Sequence, residues 1–196
     1  MDNPMSFRRM LGTSLLLLVG YALLKSWMLE HVPYERAVAL GGLYHWSSLV
    51  LLAAVWSIWM VRQNASKGST WGDVQQLLRP TLLHALLASL SVWAWNHAWA
   101  EETTQLRKSI RMAQINANTE SDGAYASFLD AQDDLQPGLM PDRQTYREQA
   151  TAQLNWMLSG GVTLVLSLLV YVFAAFVLSV VASVVLHQIW GITTFR

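Results

Sequence analysis

Six residues with chemistry in their side chains stand inside long apolar runs of this chain: Lys25, His45, His84, His97 and His187, with Asn96 as a neutral neighbour. An ionisable group in such surroundings is costly unless it is paired or solvated, so each is a site candidate by default. Lys25, His45, Asn96 and His97 all fall within about two helical turns of the same end of their runs. Together they could form a polar cluster for an ion, a proton or a small ligand. A simpler use exists for each: Lys25 can extend its ammonium to the interface, and the other three can tie helices together by hydrogen bonds. Nothing in the spacing demands that they meet.

His84 and His187 lie toward the opposite ends of their runs. On facing helices such a pair could supply axial ligands to a haem, provided that the two rings were level and flanked by small residues. The sequence establishes neither condition, so no cofactor is expected. Asp130-Ala131-Gln132-Asp133-Asp134 invites a calcium reading. It lacks the alternating oxygen ligands, central glycine and distal glutamate of a calcium loop, and reads as a solvated helix face. With no cysteine in the chain, thiolate metal sites and disulfides are excluded. No phosphate loop, nucleophile elbow or His-Glu zinc pair occurs, so neither a metal site nor a catalytic residue is expected. Ala175, Ser179 and Ser183 recur every fourth residue, with Ala174 and Ala182 on the adjoining stripe. That spacing lets another helix approach closely, either within the chain or from a partner subunit.

The elements that must position these residues follow from composition. Of 196 residues, 53 % are hydrophobic and only 13 % charged, about half the charged share of a soluble domain. The charges gather in patches separated by apolar runs of roughly 20 residues, enough to span a hydrocarbon core. Four transmembrane helices are expected, at about 10–29, 38–61 and 80–100 and within 156–196. Residues 101–155 form a polar helical segment outside the membrane. The chain is therefore read as an all-α, integral membrane four-helix bundle.

Arg8 and Arg9 before the first apolar run resemble a secretory signal. Lys25, Trp27 and Met28 stand where small residues would mark cleavage, so the run is expected to remain as the first span. Pro33 stops that helix. Pro80 suits the first turn of the third span, where its missing N–H would be unpaired anyway, and a short interfacial helix starts near Thr70 or Trp71. Trp93, Trp95 and Trp99, with Trp27 and Trp46, form an aromatic belt at one interface. The third helix projects onward through Leu106, Ile110, Ala113 and Ala117 and breaks over Asn116–Gly123. A short helix over Tyr125–Leu135 follows, capped by Ser121 or Asp122, then a turn at Gln136-Pro137-Gly138. From Pro141 a long helix runs into the fourth span through Gly160-Gly161.

Orientation follows from basic residues in short loops. One side carries Arg8, Arg9, Arg62, Lys67, Arg79 and Arg196 against Asp2 and Asp73; the other carries Arg36 and the 101–155 segment, with five basic and nine acidic residues. Both ends are therefore expected in the cytoplasm, with 101–155 on the far side. Net charge is zero, which gives no electrostatic footprint for nucleic acid.

Three spans, an outward polar segment of about 50 residues and one last span form a recognisable layout. From Ile58–Arg62 through a linker containing Gly68, then Thr70-Trp71-Gly72-Asp73 and the third helix to Met112, the chain resembles the bacterial membrane family called domain of unknown function 4199, common in Bacteroidota. Where its members close the last helix with several basic residues, only Arg196 stands here. The family has no assigned activity, so the resemblance implies residence in a bilayer and nothing catalytic.

The function expected first is non-enzymatic: an accessory or structural subunit, or an interaction protein, of a membrane complex. Its partners would be the inner-membrane lipid, other subunits or a second copy. A transporter or channel component ranks second, because the middles of the spans look almost bare. A redox subunit holding haem or quinone on its histidines ranks third.

Overall fold

The computed structural model describes residues 7–63, 69–131 and 141–189. Among them run seven α-helices: α1 Phe7–His31, α2 Tyr34–Arg62, α3 Thr70–Ala94, α4 Glu101–Asn118, α5 Asp122–Asp130, α6 Arg143–Met157 and α7 Gly160–Ile189. A π-helical turn, Trp95–Trp99, stands between α3 and α4. Four helical stretches are long and apolar enough to cross a membrane: Phe7–His31, Arg36–Arg62, Thr70–Trp99 and Gly160–Gln188. The chain is a multi-pass, all-helical membrane protein. A helix can cross lipid because each peptide group finds its partner within the helix.

The chain forms two compact units, Met1–Ser91 with Leu166–Arg196, and Val92–Val165. In the first unit the four spans share one apolar core. Met10 of α1, Leu52, Trp56 and Met60 of α2, Leu77 of α3 and Leu186 of α7 pack together and are almost fully buried. The approach of α1 to α2 is close because Gly20 faces Tyr44: a Cβ at Gly20 would sit 2.5 Å from the Tyr44 hydroxyl. That hydroxyl is held in place by donating to the Leu17 carbonyl at 2.7 Å. The outward faces stay apolar, with Leu16, Leu23, Leu169 and Phe173 exposed as lipid-facing residues must be.

The third span differs from expectation at its start. Among the described residues no separate interfacial helix precedes it; α3 begins at Thr70 and passes through Pro80, which is buried mid-helix. Proline has no N–H to give to the carbonyl four residues back and normally ends a helix. Here the hydroxyl of the next residue, Thr81, donates to the Leu77 carbonyl at 2.9 Å and supplements the ladder beside the ring. Membrane helices tolerate such prolines because neighbouring side chains re-satisfy the backbone.

In the second unit the helix is interrupted where continuity was expected. The amide of Ala100 donates to the Trp95 carbonyl, five residues back, at 2.8 Å. The Asn96 carbonyl accepts from the Thr104 hydroxyl at 2.8 Å. Trp95 is buried and stacks on Trp99 at 6.0 Å, whereas Trp93 and Trp99 are exposed. α4 packs along α6. Arg143 fastens the end of α4, donating to the carbonyls of Thr119 and Glu120 and pairing with Asp122 at 3.0 Å. Ser121 caps α5, as one of the two expected candidates, and α5 ends at Asp130. α6 stops at Met157, and Ser159 starts α7 by accepting from the Val162 amide. The turn at Gln136–Gly138, the linker residues 64–68 and Arg196 lie outside the described residues.

Asp142 caps α6 by accepting from the amides of Gln144 and Thr145, both at 3.1 Å. The Thr145 side chain, then the two backbone donors, hold its carboxyl below the usual carboxylate range. A depressed carboxyl stabilises the fold above its ordinary titration range, and that contribution fades as pH falls through the lowered value. Asp142→Ala should therefore speed hydrogen exchange at the Gln144 and Thr145 amides at neutral pH. Acidifying the parent protein should narrow the difference between the two.

Candidate functional site: a buried polar seam along α3

α3 turns one stripe of residues into the first unit. Asp73, Leu77, Pro80, Thr81, His84 and Ala88 are buried on it, with half-buried Ser91 continuing the line. At about 1.5 Å per residue the polar members cover about 27 Å, close to the thickness of a hydrocarbon core. The mid-span is thus not bare.

Three contacts tie this stripe to α7. His187 Nε2 lies 3.1 Å from Asp73 Oδ2, and the Asp73 side chain is fully buried. The Ser183 hydroxyl donates to the Thr70 carbonyl at 2.9 Å. Thr81 and Ser179 share a hydrogen bond at 3.0 Å. The small residues Ala175, Ser179 and Ser183 are all completely buried, so the fourth-residue stripe serves packing within this chain. Ala174 is buried beside it, and Ala182 packs against the apolar core.

The candidate cluster divides. Lys25 is buried and donates to the Ala37 carbonyl at 2.8 Å, lying against Gly41 of α2. Its ammonium therefore points into the bundle end and does not snorkel outward. His45 follows Gly41 by one turn of α2. Its ring is fully buried against Tyr21, 4.1 Å between centroids, and edge-on to Tyr171 at 5.4 Å. Asn96 and His97 are engaged in the second unit. The Asn96 amide donates to the Val92 carbonyl at 2.9 Å, and His97 Nε2 meets the Thr163 hydroxyl at 3.2 Å.

His84 and His187 are not level. His187 pairs with Asp73, which precedes His84 by eleven residues on α3, about 16 Å along the axis. A haem held between these two rings does not fit that offset. Among the described residues no three His, Asp or Glu side chains converge as a metal site would require.

Two imidazoles in the seam are incompletely satisfied. His84 is fully buried, and neither ring nitrogen has a hydrogen-bond partner among the described residues. His45 Nε2 lies 3.5 Å from the Ser91 hydroxyl, the outer limit of a hydrogen bond, and Nδ1 has no partner there. Asp73, Thr81, Ser91, Tyr21 and Tyr171 were not among the sequence candidates. Thr81 and Ser91 share a helix face with His84 already on a span that starts at Pro80; Asp73 joins that face only when the helix is continuous from Thr70.

No family model matches the chain, and no curated protein or solved structure matches it.

Proposed function

We propose that the chain is a non-enzymatic accessory or interaction subunit of a membrane complex, which meets its partner through the helices of its polar segment. The supporting observation is the apolar row on α4. Leu106, Ile110, Ala113 and Ala117 lie on one face of a charged helix and are all exposed, Leu106 at 60 % and Ile110 at 51 %. The opposite face, with Thr104, Met112, Ile115 and Thr119, is the shielded one; Met112 takes a contact from Thr151 of α6. Single exposed leucines are ordinary, but an aligned row outside the lipid marks a contact surface.

This reading places the protein in a bacterial inner membrane, both ends cytoplasmic and 101–155 on the far side. It rests on Arg8 and Arg9 at the start of α1 and Arg62 at the end of α2, on one side of the span pair. A reporter fused near Ser127 is expected to be silent in the cytosol, and a cytosolic signal would overturn the orientation. Partner capture tests the rest. The double variant Leu106→Gln/Ile110→Gln should keep its fold, since exposed substitutions shift stability by under about 0.5 kcal/mol. It should lose the chain that co-purifies with the parent protein in mild detergent. Unchanged recovery of that chain, or a parent that elutes alone under several gentle conditions, counts against the proposal.

A further inference from the structure

The first unit has an opening on the outward side of α1 and α2, apart from the seam. A groove of about 500 Å³ lies between the two helices, lined by Arg9, Gly12 and Thr13 of α1 and by Val55, Trp56 and Trp59 of α2. Only Val32 and Pro33 connect these helices, so they run antiparallel, and the first turn of α1 stands beside the last turns of α2. Gly12 helps keep the groove open, since a Cβ there would meet nothing within 4 Å. Gly20 and Gly41, by contrast, make room for a side chain at close range. A glycine inside a helix lowers its stability, and at Gly12 no packing among the described residues accounts for it.

The walls are apolar and the mouth is cationic. The Thr13 hydroxyl donates back to the Arg9 carbonyl at 2.6 Å, so its polarity is spent within α1. Helical spacing puts Leu16 on the face of Arg9, Gly12 and Thr13, and Leu51 on that of Val55. Both leucines are exposed and continue the walls along the spans. At the mouth Arg8, Arg9 and Arg62 are all exposed, and none pairs with a carboxylate among the described residues. The first turn of α1 holds no acidic residue. Two cations there stand at the positive end of the helix dipole, where an anion is favoured. Asp73, the carboxylate on the neighbouring α3, is buried and bonded to His187.

We propose that this groove binds one anionic phospholipid, its phosphate on the Arg9 guanidinium and an acyl chain laid over Gly12 between the two helices. A guanidinium offers phosphate a pair of N–H donors, which a charge-assisted hydrogen bond rewards. Apolar walls give a free phosphate ion nothing to hold, and give an acyl chain a fitted surface. A zwitterionic headgroup brings a further cation beside Arg8, Arg9 and Arg62, so the site selects against it. The proposal stands apart from the partner surface on α4, and either can fail alone.

The test is native mass spectrometry of the full chain, released from mild detergent micelles holding equal amounts of dioleoyl phosphatidylglycerol and dioleoyl phosphatidylcholine. The two lipids share their chains and differ in charge. The parent protein should retain one phosphatidylglycerol in preference to phosphatidylcholine. Arg9→Gln should lower that preference about fivefold, the share of one basic residue near an anionic headgroup. Gly12→Leu fills the groove and should displace the retained lipid. Gly42→Leu, at an equally open glycine near the other end of α2, should leave it in place. Both glycines accept a leucine without a clash, and circular dichroism checks that each variant keeps its helices. No preference in the parent, or a preference that survives either Arg9→Gln or Gly12→Leu, overturns the site. So does a lipid-free parent dimer that Gly12→Leu turns into a monomer, because a second copy then fills the groove.

Discussion

His187→Leu should destabilise the bundle by about 3 kcal/mol, because it removes the imidazole from a carboxylate that is fully buried. Asp73→Leu should cost less. It leaves behind an imidazole that is itself partly exposed, where the other change leaves a fully buried carboxyl one partner short. The two changes together should recover most of the loss, since a leucine pair fills the space without any ion to desolvate. Unfolding in mixed detergent micelles, run as a double-mutant cycle, measures all three. A coupling near zero would mean that the pair contributes nothing to holding α7 on α3.

A comparable effect is expected at the apolar core. Leu77→Ala removes a completely buried side chain from contact with Met60, Trp56 and Leu186, at a cost of about 3 kcal/mol in transfer and cavity terms. Leu169 is equally apolar but 61 % exposed on α7. Lipid chains refill the space that Leu169→Ala vacates, so that change should fall under about 1 kcal/mol. The contrast between the two leucines, in the same micelle assay, tests which face of each helix looks inward. Equal losses at both positions would mean that the inward and outward faces have been misassigned.

The spans were legible in the sequence because hydropathy over 20 residues is a sum, and a sum survives local irregularities. The ends of helices were less so. Pro80 was read as a first-turn residue on good grounds, yet α3 runs through it, and that one displacement concealed the seam. With a separate interfacial helix before a span that starts at Pro80, the register between Asp73 and Thr81 is undefined, and Asp73 counts only as a surface charge. With a start at Thr70, Asp73 falls on the same face as Thr81, His84 and Ser91, and His187 acquires a partner. Gly20 and Gly41 carry no sequence mark either, because what they permit is the approach of a tyrosine and a lysine from another helix. The small-residue stripe was visible as a spacing, but whether it faces α3 or another subunit is a question of three dimensions. Nor could local pattern show that Leu106 and Ile110 stay uncovered.

The π-helical turn at Trp95–Trp99 amounts to a surplus residue in the count of turns. Buried positions there step from Trp95 to Ala100 and then to Thr104, five places and then four. The surplus diverts the Asn96 carbonyl from the regular ladder, and the Thr104 hydroxyl is what receives it. The two features are therefore a matched pair. A relative that kept the extra residue but carried alanine at the threonine's place would strand an oxygen, while one that had shed the residue would have no use for the hydroxyl. Insertion and threonine should be inherited, or lost, as one.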